Sequence, residues 1–194
     1  ILDASVAEGN SGTTLLTFTV RRAGGTALSS DVAYSINLDG TANAADLAVG
    51  AVLSGNVQFA IGETVKTITL EIQGDTVGEF NETLSVTLTS ATNATIVDGQ
   101  ATGTIINDDP LALAIYEIQG ESHLSAFAGQ NVTTTGIVTA VDTNGFYRQD
   151  ATGDGNSRTP DAIFIFTSTV PTVAVGDSIS VTGIVAENRP GNNL

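Results

Sequence analysis

The side chains with the most chemistry to offer in this sequence are carboxylates. Of 194 residues, 21 are Asp or Glu and 6 are Lys or Arg, giving a formal net charge of −15, with a single histidine and no cysteine. A carboxylate can serve as acid, base, nucleophile or hard oxygen ligand, and its neighbours decide which. Here the acids gather in polar, turn-rich stretches: Glu8; Asp39 and Asp46; Asp75, Glu79 and Glu82; Asp108 and Asp109. No base falls within those stretches, since the bases of residues 1–109 are Arg21, Arg22 and Lys66. Like charges about 6 Å apart repel by roughly 3 kcal/mol at an effective dielectric near 20. A bound cation relieves this, and oxygen donors without thiolate or imidazole select Ca2+ over transition metals. The lone His123, in Gly120-Glu121-Ser122-His123-Leu124-Ser125, reads as a surface loop residue.

The missing chemistry narrows the choice further. There is no Gly-x-Ser-x-Gly elbow, no phosphate loop and no thiol nucleophile, so the chain is expected not to be an enzyme. The absence of cysteine excludes a disulfide scaffold and a zinc ribbon. No run of 18 apolar residues occurs, so no membrane span is expected. So acidic a chain repels nucleic acid and anionic membranes at long range.

The elements that must position the acids are β-strands. Apolar residues make up 41% of the chain but aromatics only 5%; the apolar bulk is Val, Ile, Leu and Ala, and Thr is abundant beside it. Period-2 alternation predicts strands over Ala4–Ala7, Thr13–Arg22, Val32–Asn37, Ala51–Phe59, Val65–Ile72, Thr83–Ser90 and Ala101–Ile106. A single helical turn is expected only within Asn43–Val49. Seven short strands in this span predict an immunoglobulin-like Greek-key β-sandwich. Successive strands then alternate in direction, so every second connection falls at one end of the domain. The first–second, third–fourth and fifth–sixth connections share that end with the finish of the seventh strand. Eight of the 13 acids in residues 1–109 lie in those places, and the three bases lie at the other end.

Four stretches carry a family resemblance. They are Ser5-Val6-Ala7-Glu8-Gly9, Gly40-Thr41-Ala42-Asn43-Ala44-Ala45-Asp46-Leu47, Gly74-Asp75-Thr76-Val77-Gly78-Glu79-Phe80-Asn81-Glu82 and Ile105-Ile106-Asn107-Asp108-Asp109. In this order they resemble the motifs of Calx-beta domains, calcium-binding sandwiches of sodium–calcium exchangers and of many bacterial extracellular proteins. The resemblance implies calcium ligands at Glu8, Asp46, Asp75, Glu79, Glu82, Asp108 and Asp109. Two departures imply fewer or weaker sites. Gly74 precedes Asp75 where exchanger-type members often have a second acid, and Asn107 precedes two acids where those members have three.

Asp108-Asp109-Pro110 marks the expected boundary between a domain over 1–109 and another over 110–194, because proline cannot extend a ladder. In the second domain, extended segments are expected over Leu113–Ile118, Val132–Val141 with a bulge or bend at Gly136, Gly145–Arg148, Ala162–Phe166 and Ser178–Ala186. This order suits an OB-type β-barrel, with the closing strand missing and a polar tail over Asn188–Leu194. The stretch from Gly145 to Phe166, with Tyr116–Gly120 and Val175–Asp177, is similar to the OB-like domain of bacterial secreted nucleases. There it precedes an endonuclease/exonuclease/phosphatase catalytic domain. OB folds stack bases on aromatics in a basic groove, which points to Phe146, Tyr147 and Arg148 as candidate contacts, with Phe164 and Phe166 divided between stacking and core. Only Arg148, Arg158 and Arg189 are basic against eight acids, so binding of nucleic acid is expected to be weak at most. Asp150, Asp154 and Asp161 occupy positions 1, 5 and 12 of an EF-hand-like spacing, with Gly155 at position 6. Without flanking helices, this loop reads first as a polar hairpin connection and second as another metal loop.

The resulting expectation is a pair of non-catalytic, calcium-binding accessory β-modules. They would belong to a larger secreted bacterial protein, an extracellular nuclease or phosphatase, with Ca2+ as cofactor and further domains of the same polypeptide as partners. The alternative is a structural or adhesive module of an extracellular matrix or surface filament, which would self-assemble.

Overall fold

Alternation of apolar and polar residues sets the strands of the first unit. They are β1 (Ala4–Ala7), β2 (Thr13–Arg21), β3 (Ser30–Asn37), β4 (Ser54–Phe59), β5 (Val65–Gln73), β6 (Glu82–Ala91) and β7 (Gln100–Ile106). The computed structural model describes residues 1–187. It divides into two units, Ile1–Asp109 and Pro110–Leu194. The described residues are all-β apart from two short helical turns. On β5, Ile68, Leu70 and Ile72 are buried while Thr67, Thr69 and Glu71 face solvent. Leu16, Phe18 and Val20 of β2 and Leu84 and Val86 of β6 join them in one core. Each such side chain contributes roughly 1.5–3 kcal/mol by burial.

Two sheets face each other, one in the order β1-β7-β6-β3-β4 and the other β2-β5. β1 pairs with β7 in parallel, from Ala4 opposite Gly103 to Ala7 opposite Ile106. The other neighbours are antiparallel. Strict alternation of direction demands this, because the first and seventh strands run the same way. β4 begins at Ser54 rather than Ala51, because the Ala51 N–H donates to the Ala48 carbonyl and closes a turn at Gly50. The turn expected near Asn43 is a 3-10 turn over Ala44–Asp46.

The second unit contains β8 (Leu111–Ala112), α1 (Ile115–Gln119), β9 (Asn131–Val141), β10 (Gly145–Gln149), β11 (Ala162–Phe166) and β12 (Ser178–Ile184). Its sheet runs β11-β10-β9-β12, with β8 parallel to β9. The expected extended segment Leu113–Ile118 is largely α1. Ile115 and Ile118, one turn apart, are both buried, Glu117 accepts from the Ala114 N–H, and Gly120 ends the turn at φ +62°. A short apolar run satisfies both periods, and the caps decided it. The expected bulge is also displaced. The register slips at Tyr147/Arg148, leaving Thr139 of β9 without an opposite residue. Gly136 is needed for another reason: a Cβ there would lie 2.6 Å from the Gln149 carbonyl oxygen and 3.2 Å from Arg148 Nε. The Asn188–Leu194 tail and Arg189 lie outside the described residues.

Candidate metal centre

The carboxylates of the first unit converge because alternating strands deliver their loops to one end. The Glu8 N–H donates to the Ile106 carbonyl (3.2 Å), so the parallel ladder of β1 and β7 carries Glu8 to the segment that follows β7. There the Gly9 N–H donates to Asp108 Oδ1 (3.1 Å) and Asn10 Nδ2 donates to Asp109 Oδ1 (2.6 Å). Glu8, Asp108 and Asp109 each place a carboxylate oxygen within 4.8 Å of the others'.

Asp46, Glu79 and Glu82 form a second group on the same criterion, within 4.8 Å. Asp46 closes the 3-10 turn, accepting from the Asn43 N–H (2.6 Å) while Asn43 Oδ1 accepts from the Ala45 N–H (2.9 Å). This reciprocal cap fixes a buried carboxylate on a loop. Glu82 opens β6, and Glu79 lies in the loop before it.

Two residues that the acid count passes over hold this end together. Asn107 Oδ1 accepts from the N–H groups of Glu79 (3.1 Å) and Asp109 (3.3 Å), and its Nδ2 donates to the Asp109 carbonyl (2.8 Å). Gly74 brings the β5–β6 loop against the β1–β2 loop, where a Cβ would lie 2.2 Å from the Gly9 carbonyl oxygen. A second acid beside Asp75 therefore has no room. The sequence signal for Asn107 was its place directly before two acids.

Electrostatic strain marks the site. Burial pushes the Glu8 carboxyl up to about 7, and the charges of Asp75, Glu79, Asp108 and Asp109 add to the effect. Glu82 is likewise pushed up to about 7, first by burial, then by its hydrogen bond to Asp46 and by the charges of Asp46, Glu79 and Glu8. Burial, then Asp46 and Asp75, raise Glu79. The ion pairs among the described residues, such as Lys66–Glu63 and Arg158–Glu121, reach none of these acids. Asp109 is only 5% exposed, and its Oδ2 is buried without a hydrogen-bond partner.

Asp75 stands outside both groups of three. Its Oδ1 accepts from the Val77 N–H (2.7 Å), and its charge is felt by Glu8 and Glu79. Asp39 accepts from Ser85 Oγ (2.8 Å) and joins neither group.

The expected second-unit sites do not assemble. Asp150 Oδ2 accepts from the Ile115 N–H at the start of α1 (3.0 Å). Asp154 accepts from the Asn156 N–H (2.8 Å) and Thr159 Oγ1 (2.7 Å), and Asp161 packs on the backbone of Gly153 with its Oδ1 buried and without a hydrogen-bond partner. These three carboxylates do not meet as a ligand set, because local donors already turn two of them toward the backbone. The Phe146, Tyr147 and Arg148 contact set fails as a set too. Phe146 is 4% exposed and Arg148 is 0% exposed, because both side chains fall on the inner face of β10. Tyr147 is exposed and lies 4.9 Å from the Phe164 ring, centroid to centroid, and Phe166 is exposed beyond them. His123 is exposed.

The model of the Calx-beta domain family matches residues 2–110. Among solved structures, this chain is similar to an apo-form Calx CBD1 domain, with 27% identity over 56% of this chain and 91% of that one and a TM-score of 0.45. It is also similar to the calcium binding domain CBD12 of CALX1.1, with 18% identity over 96% of this chain and 80% of that one and a TM-score of 0.48.

Proposed function

Because this chain belongs to the Calx-beta family through residues 2–110, we propose that the acidic end of its first unit binds calcium. One observation carries the reading. Among the described residues, each of two groups of three carboxylates converges within 4.8 Å without a base, and a buried oxygen of the first group, Asp109 Oδ2, has no hydrogen-bond partner. The residues fit the ion: all are hard oxygen donors, and an orphaned buried carboxylate oxygen needs a cation or a proton. Glu8, Asp108 and Asp109 would hold one ion, and Asp46, Glu79 and Glu82 another, with Asp75 adding negative charge beside both groups. A bound calcium would supply two positive charges where the described residues supply none. It takes about six to eight oxygens, so backbone carbonyls or waters complete each set. The three loops and the segment after β7 would then be held to one another.

Calorimetric titration of the full chain with Ca2+ tests this. Binding heat and a raised melting temperature are expected at millimolar calcium, and the absence of both would sink the reading.

The finer reading places both units beside a catalytic domain in a secreted bacterial nuclease or phosphatase. Its support is the resemblance of residues 110–194 to the domain that precedes such catalytic domains. Extracellular modules bind calcium at about 10⁻⁴–10⁻³ M, so a submicromolar Kd would argue against an extracellular setting. A full-length polypeptide that hydrolyses no phosphoester would exclude the catalytic partner.

A further inference from the structure

Asn107 sits between the two carboxylate groups and touches both. Its Oδ1 accepts from the Glu79 N–H of one group and the Asp109 N–H of the other. Its Nδ2 donates to the Asp109 carbonyl, and its own N–H donates to Asn81 Oδ1 (3.1 Å) in the loop that carries Glu79. An amide oxygen has two lone pairs, and here both are engaged. No acceptor capacity is left for a cation, so Asn107 has no free oxygen to offer as a ligand. An aspartate could accept the same two bonds but could not donate to the Asp109 carbonyl, and it would add charge to an end already crowded with acids.

Resting on the calcium reading above, we propose that Asn107 is a positioning residue that couples the two groups, so that filling one prepares the other. The segment after β7 and the β5–β6 loop are tied through this one amide. An ion that draws Asp109 toward Glu8 and Asp108 therefore also fixes the loop from which Glu79 reaches Asp46.

The test is calorimetry and backbone amide NMR on the full chain, wild type and Asn107→Ala, with Ca2+ alone and with chelator. In chelator, the Glu79 and Asp109 amides of Asn107→Ala should exchange faster than in wild type. With calcium, both binding steps should weaken roughly 10- to 100-fold, the usual consequence of removing a residue that orients ligands. An Asn107→Ala isotherm superimposable on wild type, or weakening confined to one step, overturns the proposal. Wild-type protein needs no variant: the amides of Gly9, beside the first group, and Ala45, beside the second, should follow one titration curve. Two independent curves overturn the coupling even if the variant fails to fold. A wild-type chain that shows no calcium response at all removes the calcium reading itself, and this inference with it.

Discussion

Both units bury charge, of opposite sign, and they treat it in opposite ways. In the second unit, Arg148 is fully buried, and its guanidinium donates to the carbonyls of Thr134 (2.9 Å) and Ile179 (3.1 Å) across the inner face of the sheet. Burial pulls its pKa below the ordinary value, an effect partly opposed by Asp150. In the first unit, Glu8, Asp46 and Asp109 are buried among other acids, and Asp109 keeps an oxygen without a donor. Two nitrogens of Arg148 find acceptors in the backbone of neighbouring strands while its Nε has none, whereas Asp46 and Asp109 each take one donor and otherwise face other acids. A buried charge that the fold surrounds with acceptors and no like charge is part of the scaffold. A set of buried charges that the fold sets against each other is a site for something of the opposite sign.

Substitutions put this contrast at risk, beginning with the most disruptive. Arg148→Ala leaves two carbonyls without their donor and a hole beneath β10, and should destabilise the second unit by about 3–5 kcal/mol in calorimetric melting. The calcium titration of the same protein should not change. A loss below about 1 kcal/mol would mean that Arg148 is not the internal support the geometry describes.

Asp109→Asn keeps the shape and the bond from Asn10 but removes one ligand charge. Calcium affinity should fall on the order of 100-fold, since charge count tunes such sites. In chelator the same variant should melt higher than wild type, because a repelling charge has gone. A variant that melts lower in chelator would show that Asp109 supports the fold rather than straining it.

Titration separates the two units by sign. Glu8 and Glu82 are raised to about 7 in the fold from an ordinary value of 4.5. Their contribution to stability is fully present below about 4.5 and is lost as pH rises through about 7. The metal-free first unit should therefore melt several degrees lower at pH 8 than at pH 5. Calcium must displace these protons, so its affinity should rise between pH 6 and pH 8 with measurable proton release. In the second unit, the Thr159 hydroxyl and then the Asn156 N–H lower Asp154. Its contribution is present above its ordinary value and is lost as pH falls through the lowered one, the reverse dependence.

The smallest effect is expected at Asp154→Ala. It loosens the loop near Asn156, visible as faster amide exchange there, and leaves the calcium isotherm unchanged. A weakened isotherm would restore the 150–161 loop as a metal loop.

Much of this was legible without coordinates. Alternating residues such as Ile68, Leu70 and Ile72 mark a strand with one buried face, because side chains on a strand point to opposite sides by geometry alone. Seven such strands alternating in direction throw Glu8, Asp46, Glu82 and Asp109 to one end, and this follows from counting connections. What counting could not do was divide the acids. Asp75 and Asp39 share that end, but a turn amide engages one and Ser85 the other. The seven residues of 113–119 carry too few turns for periodicity to separate helix from strand, and the Glu117 cap and Gly120 settle it. Arg148 reads as a surface base until the pairing of β9 with β10 turns it inward over Gly136. Local pattern fixes what each residue prefers as a strand or a turn, since those preferences act within a few bonds. Which oxygen keeps a donor, and which is left facing another acid, depends on backbone groups distant in sequence, and only the folded chain brings those together.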